Sequence, residues 1–479
     1  MADGEAQGAD MRALLDAQRR AFDAARPEPL AARRDRLDRC LGLMLDNLDP
    51  LCAAMSADFG NRSREQSLLS DLLPTVNLAK YCRRHFARWA RTERRSAGFP
   101  LAWIGGRAEV RYEPKGVVGI LSPWNFPVGL SLGPLVQALA AGNRVMLKPS
   151  EITPRTSALL AELFAARFAP EEVTVVLGDP EVAQAFTALP FDHLLFTGAT
   201  AVGRHVLHAA ADNLVPTTLE LGGKSPAIVG RSADLARAAR RIAAGKMMNA
   251  GQICLAPDYL LVPEDREEET IAAIGKAVAV SYPTLLANDD YTAIINARHR
   301  DRLLGLIDDA VAKGAEAVEI NPGSEVFAAG NVAKLPLTIL RRVNDGMKVM
   351  QQEIFGPVLP VKTYRGIDEA IDYMNAHPRP LALYYFGEDA AEQERVLARG
   401  ISGGVTVNDI LFHITVDALP FGGIGASGMG HYHGPEGFRT FSHARAIYRQ
   451  PRIDIAGLAG LRPPYGGATR RTIAMLLRR

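Results

Sequence analysis

Residues 116–127 read Gly116-Val117-Val118-Gly119-Ile120-Leu121-Ser122-Pro123-Trp124-Asn125-Phe126-Pro127. Residues 117–121 form a short apolar strand, and a polar segment bracketed by prolines follows it. Beyond it the pattern repeats. Helical text over 133–141 leads to the strand 144–147, and a helix over 153–168 leads to the strand 173–177. A helix over 180–189 then precedes the strand 193–196. Strands alternating with helices at this pitch predict an α/β fold with a parallel, doubly wound sheet.

Upstream, residues 10–92 carry apolar side chains at helical spacing. Leu37, Leu41, Met44, Leu45 and Leu48 form one set, and Leu68, Leu69, Leu72, Val76 and Ala79 another. Pro50 and Asn61 mark expected breaks. Trp103-Ile104-Gly105-Gly106-Arg107 reads as a hairpin turn between two strands, because adjacent glycines accept positive φ. Downstream, Leu219-Glu220-Leu221-Gly222-Gly223 marks a boundary, and Ala227-Ile228-Val229 opens a second α/β pattern. Helices over 235–248, 264–280 and 297–313 and strands at 259–262 and 358–361 continue it. The Gly-rich stretch 422–437 is expected to run as a surface or interface loop.

A chain of 479 residues at 48% hydrophobic composition can build two or three domains. A formal charge of +2 gives no global field for nucleic acid. No apolar run reaches membrane-spanning length, and the small, acidic first ten residues lack the apolar region of a secretory signal. Four cysteines without close pairing argue against a disulfide scaffold and for a reducing, cytoplasmic setting. His431, His433 and His443 have no cysteine or acidic pair at ligand spacing, so no metal is expected. The C-terminal run 470–479 is basic and apolar. It reads as a packed or frayed helix, or as a peripheral contact with a membrane or partner.

Several residues carry chemistry. Cys254 lies in Asn249-Ala250-Gly251-Gln252-Ile253-Cys254-Leu255-Ala256-Pro257-Asp258, a Gly-containing segment closed by proline. Cys40, Cys52 and Cys82 lie in helical text. A thiolate needs partial exposure and nearby N–H groups, which a shaped loop supplies; the competing use is a small buried hydrophobe. Asn125 can donate to an oxyanion without carrying charge, or close an Asx turn beside proline. Glu220, beside Gly222 and Gly223, can act as a general base or sit as a surface acid. Lys148 and Glu151 follow a strand of the first sheet, where an open α/β fold binds ligands. Gly198 and Gly203, with four residues between them, open a helix after a strand. That is a pyrophosphate turn or an ordinary tight connection. Glu353, before Phe355-Gly356-Pro357, is a ribose contact or a helix-end charge.

Taken in order, six further motifs join Pro123–Pro127. They are Lys148-Pro149-Ser150-Glu151, Phe196-Thr197-Gly198 with Gly203, Glu220-Leu221-Gly222-Gly223-Lys224, Gly251-Gln252-Ile253-Cys254, Glu353-Ile354-Phe355-Gly356-Pro357 and Pro420-Phe421-Gly422-Gly423-Ile424-Gly425-Ala426-Ser427-Gly428. The set resembles the NAD(P)-dependent aldehyde dehydrogenase superfamily over roughly residues 10–450. Cys254-Leu255-Ala256-Pro257-Asp258-Tyr259 and Tyr432-His433-Gly434 are similar to its class 3 branch. The tail Leu461-Arg462-Pro463-Pro464-Tyr465-Gly466 is similar to that of bacterial coniferyl aldehyde dehydrogenases. Ile253 stands where the family usually has Thr.

The resemblance implies a Rossmann-type cofactor-binding unit at 1–98 and 114–220 and a catalytic unit at 221–410. It also implies an oligomerisation arm at 99–113 and 411–450 and a tail at 451–479. It implies that Cys254 attacks the aldehyde, that Asn125 and the Cys254 N–H hold the oxyanion, and that Glu220 activates water against the thioester. Trp124, Lys148, Glu151, Gly198, Gly203, Glu353 and Phe355 would bind NAD or NADP, with NAD favoured, in a homodimer. The alternative substrates are medium- or long-chain fatty aldehydes. Outside this chemistry stand a cofactor-independent cysteine hydrolase or acyltransferase and a binding protein that has lost activity. Within the superfamily, an acyl-phosphate reductase is the other reading.

Overall fold

The computed structural model describes residues 2–98, 101–103, 105–327 and 333–478. Its first sheet has six strands in the order Gly428–Met429, Thr217–Leu221, His193–Gly198, Val117–Leu121, Arg144–Lys148, Val173–Val175. All neighbours are parallel except the first pair. Val117–Leu121 is buried throughout. Val118 and Ile120 point into one apolar cluster, while Val117 and Leu121 point into another. Successive strand residues face opposite sides, so a strand covered on both faces reads as an unbroken apolar run. Register aligns the strand ends: Leu121 lies opposite both Lys148 and Phe196, and Thr197 opposite Glu220. Lys148, Thr197 and Glu220 therefore leave the sheet along one carboxyl edge, where open α/β sheets bind ligands.

The second sheet has seven strands, in the order Glu316–Ile320, Leu337–Arg341, Val358–Tyr364, Tyr259–Pro263, Pro226–Val229, Ala382–Phe386, Gly404–Val407. Only Glu316–Ile320 runs antiparallel to its neighbour. A third, exposed sheet pairs Arg107–Pro114 with Glu93–Arg95 on one side and with Ser442–Arg449 on the other. One apolar cluster runs from the N-terminal helices through the first sheet to the second.

Three sequence expectations are corrected. Pro50 does not break a helix. It sits in the first turn of Leu48–Phe59, where a missing N–H leaves nothing unpaired, and the break falls at Asn47. Asn61 does mark a break, after Gly60 at φ 77°. The strands flanking the 103–107 segment exist, but Arg95 pairs with Ala108, so the connection is longer than a tight turn. Ile104 of that segment lies outside the described residues. The 422–437 stretch is not simply a surface loop. Gly422, Gly423, Ser427 and Gly428 are buried, and Gly428 pairs opposite Glu220 at the edge of the first sheet. A Cβ on Gly423 would lie 2.0 Å from the Ser427 carbonyl oxygen, so glycine there permits backbone contact that any side chain would block.

Of the C-terminal run, residues 470–476 form the end of a helix, Gly467–Leu476, with Ile473, Met475, Leu476 and, just beyond it, Leu477 exposed. Among the described residues, no helix is long and apolar enough to cross a membrane, and no group of three metal-ligating side chains occurs.

Candidate active site

The helix Leu235–Met247 ends in a backbone reversal. Asn249, Ala250 and Gly251 take φ of 49°, 51° and 72°. Left-handed backbone at a residue bearing a Cβ costs about 1–3 kcal/mol and persists only where surroundings enforce it. Here side chains do so. Asn249 Nδ2 donates to the carbonyls of Gln252 and Asn125, both at 3.2 Å. Gln252 Nε2 donates to the Asn249 and Ala293 carbonyls at 2.9 and 3.0 Å, and its Oε1 accepts the Ile295 N–H at 3.0 Å. Tyr384 donates its hydroxyl to the Leu255 carbonyl at 2.7 Å. Gly251 has no space for a side chain, since a Cβ would lie 2.5 Å from the Gly356 carbonyl.

This loop presents Cys254 partly exposed, whereas Cys40, Cys52 and Cys82 are buried. The thiol faces a cavity of about 1000 Å³, which Trp124, Asn125, Thr197, Glu220, Glu353 and Phe355 also line. Asn125 Nδ2 donates to the Gln252 carbonyl at 3.2 Å, which holds the amide beside the cysteine loop.

Three titratable groups constrain one another. Glu220 is 1% exposed, and neither carboxyl oxygen has a hydrogen-bond partner. Burial pushes its pKa up to about 8, with the neighbouring Cys254 thiol and Thr197 hydroxyl offsetting this only in part. Glu353 also rises to about 8, through burial first and the Asp258 charge second, and its Oε1 is unpartnered. The Cys254 thiol is held well above its ordinary range by burial and then by both carboxylates. Each ionisation opposes the next, so this state favours neutral groups.

Glu353 is set from three sides. Asp258 accepts the Ile354 N–H at 2.8 Å and pairs with Lys224, which donates to the Val349 carbonyl at 2.7 Å. Arg302 donates to the Glu353 carbonyl at 3.2 Å. Gly222 leaves the carboxyl its space, because a Cβ there would lie 2.2 Å from it. Phe355, at φ 52°, meets Trp124 edge-on with ring centroids 5.4 Å apart.

The remaining predicted residues sit away from the thiol. Lys148 is buried and donates to the carbonyls of Gly178 and Pro149 at 2.8 and 3.2 Å and to Glu151 at 3.4 Å. Burial lowers its pKa. Gly198 lines the cavity, whereas Gly203 does not. Gly203 brings the helix Thr200–Ala211 against the strand Thr217–Leu221, where a Cβ would lie 2.7 Å from Leu221. That helix begins at the cavity wall without a side-chain cap. Its free N–H groups suit a pyrophosphate. The unpartnered Glu353 oxygen suits a hydroxyl donor, and the Trp124–Phe355 wall suits a planar ring. The residues present thus fit a nicotinamide dinucleotide.

Arg302, Tyr384 and Arg62, which donates to the Asn125 carbonyl at 2.9 Å, had no functional signal in the sequence, and Lys224 and Asp258 stood in quoted motifs without a role of their own. Their partners are mostly backbone groups far along the chain, which no local pattern announces.

A parallel sheet with its ligand edge facing a loop-borne thiol and a buried acid defines an enzyme of nucleotide-dependent, thiol-based chemistry. The family model described as "Aldehyde dehydrogenase family" matches residues 3–447. A coniferyl aldehyde dehydrogenase of Pseudomonas sp. (strain HR199 / DSM 7063) is 54% identical over 97% of this chain and 95% of its own length. A probable coniferyl aldehyde dehydrogenase of Caulobacter vibrioides is 51% identical over 98% and 97%. Among solved structures, substrate-bound AldH of Staphylococcus aureus superposes with a TM-score of 0.89 at 33% identity, covering 97% of this chain and 99% of that one. An indole-3-acetaldehyde dehydrogenase complexed with NAD+ gives 0.83 at 27%, covering 92% and 89%. The chain belongs to the aldehyde dehydrogenase family. It is an NAD(P)-dependent oxidoreductase that converts aldehydes to carboxylic acids.

Proposed function

We propose that the physiological substrate is coniferyl aldehyde or a related aromatic aldehyde, and that NAD is preferred to NADP. The observation that carries the mechanism is the meeting of Cys254, Asn125 and an unpartnered Glu220 in one cavity. The substrate class follows the relative at 54% identity. Cys254, partly exposed, gives its proton to solvent and as thiolate attacks the aldehyde carbon. The Asn125 amide and the Cys254 N–H hold the resulting oxyanion on stiff backbone. The nicotinamide nucleotide, when bound, would supply the hydride acceptor, and loss of hydride from the held carbon leaves a thioester on Cys254. Glu220 then takes a proton from water, and the hydroxide cleaves the thioester. Lys148 and Glu151 hold the adenosine ribose, Gly198 and Gly203 shape the pyrophosphate turn, and Trp124, Glu353 and Phe355 border the nicotinamide ribose. A carboxylate at Glu151 repels a 2′-phosphate, which favours NAD.

Residues 1–98 with 114–220 form the cofactor-binding unit in this reading, and 221–410 the catalytic unit. Residues 99–113 with 411–450 form the arm of a cytoplasmic homodimer, and 451–479 the tail. A panel of cinnamyl-type and aliphatic aldehydes, with each coenzyme at equal concentration, tests the reading. NADH formation is expected to be fastest on the cinnamyl-type aldehydes. It should fall on the order of 10⁴-fold or more in Cys254→Ala. Preference for saturated chains would move the assignment to a fatty aldehyde. Ester hydrolysis without aldehyde oxidation would overturn the roles given to the cofactor residues.

A further inference from the structure

Arg62 is among the largest fully buried side chains, and the chemistry above does not use it. Its side chain and that of Asp71 are both wholly shielded, and they pair at 3.5 Å. The guanidinium stands 5.0 Å from the Phe59 ring centroid and 5.1 Å from that of Phe126. Its Nη1 donates to the Asn125 carbonyl at 2.9 Å. Asp71 in turn accepts the N–H of Gly129, the first residue of the helix Gly129–Ala141 that follows the Pro123–Pro127 segment. A Cβ on Gly129 would lie 2.8 Å from that carboxyl.

Asp71 lies on a single π-helical turn, Leu68–Leu72, inserted between Arg64–Ser67 and Leu73–Trp89. Such turns occur mostly as isolated bulges, often at functional sites. A buried ion pair is a poor stabilising device, because desolvation offsets most of the attraction and apolar residues would pack as well. Here one end of the pair grips the backbone of a site residue, and the other grips the start of the next helix. The Asn125 carbonyl also receives Asn249 Nδ2 from the cysteine loop, so one oxygen ties the two segments together.

We propose that Arg62, anchored by Asp71, is a positioning residue for Asn125: it fixes the Asn125 backbone so that the side-chain amide stays where the oxyanion forms. The proposal rests on reading Asn125 as the oxyanion donor.

The test is a double-mutant cycle on the pre-steady-state NADH burst, with melting temperature recorded for every variant. Arg62→Met is expected to slow the burst about 10- to 100-fold, the scale of a small misplacement of a reacting group. KM for NAD should stay within about twofold, since the nucleotide end is untouched. Arg62→Lys should recover part of the loss. In an Asn125→Ala background, Arg62→Met should change the burst by less than about twofold, because the residue it positions is gone. Additive losses overturn the proposal, as does a burst that falls only in proportion to the folded fraction. Should Arg62→Met fail to fold, Asp71→Asn and Arg62→Lys decide. A slower burst at unchanged melting temperature supports positioning, and a wild-type burst in both overturns it. A wild-type burst in Asn125→Ala overturns the oxyanion reading itself, and the proposal with it.

Discussion

The two ends of the ligand edge treat buried charge in opposite ways. At one end Lys148 is buried, yet its ammonium has three acceptors. At the other, Glu220 has two unpartnered oxygens, Glu353 has one and the Thr197 hydroxyl has none to bond. A satisfied group binds without needing to change. An unsatisfied acid is poised to take up a partner or a proton. The Lys148 end is thus built for fixed contacts, and the thiol end holds groups whose protonation is free to change.

The largest expected break in this contrast is Glu220→Gln. The variant should keep the hydride burst and lose turnover by about 10²- to 10⁴-fold, the range of a general base. Loss of the burst would show that the acid acts before the thioester forms. Next comes Lys148→Met, which should raise KM for NAD about tenfold and leave kcat near wild type. A matching fall in kcat would bring this end into the chemistry and erase the contrast.

The smallest effect is on stability against pH. Glu220 titrates near 4.5 when unfolded and about 8 when folded, so the fold binds its proton more tightly. That contribution is fully present below pH 4.5 and is lost as pH rises toward 8 and beyond. Glu220→Gln should therefore melt higher than wild type at pH 9, by roughly a few degrees, with a smaller gap at pH 6. Equal gaps at both pH values would show that the carboxyl is not strained by burial.

Much of the first sheet was legible because a strand covered on both faces leaves an unbroken apolar run, as in Val117–Leu121. Cys254, Glu220 and Asn125, which line one cavity, stood out in the sequence because their flanking glycines and prolines mark shaped backbone. The Pro50 reading failed because a proline is tolerated in a first helical turn and the letter alone does not give its position. The Gly422–Gly437 stretch misled for a related reason. Glycine marks backbone that bends freely, and also backbone that another chain segment presses against, as Gly428 shows against Leu219. Arg62 carried no signal, since the carbonyl it grips, that of Asn125, lies on a distant segment and its burial is a tertiary fact.

The pairing of Gly428 opposite Glu220 has a consequence for synthesis. The strand that carries the acid is completed by a segment made about two hundred residues later. Cys254 and most of both sheets leave the ribosome earlier. The nascent chain therefore carries its thiol before the edge beside Glu220 can close, and the site cannot be complete until that later segment has been made.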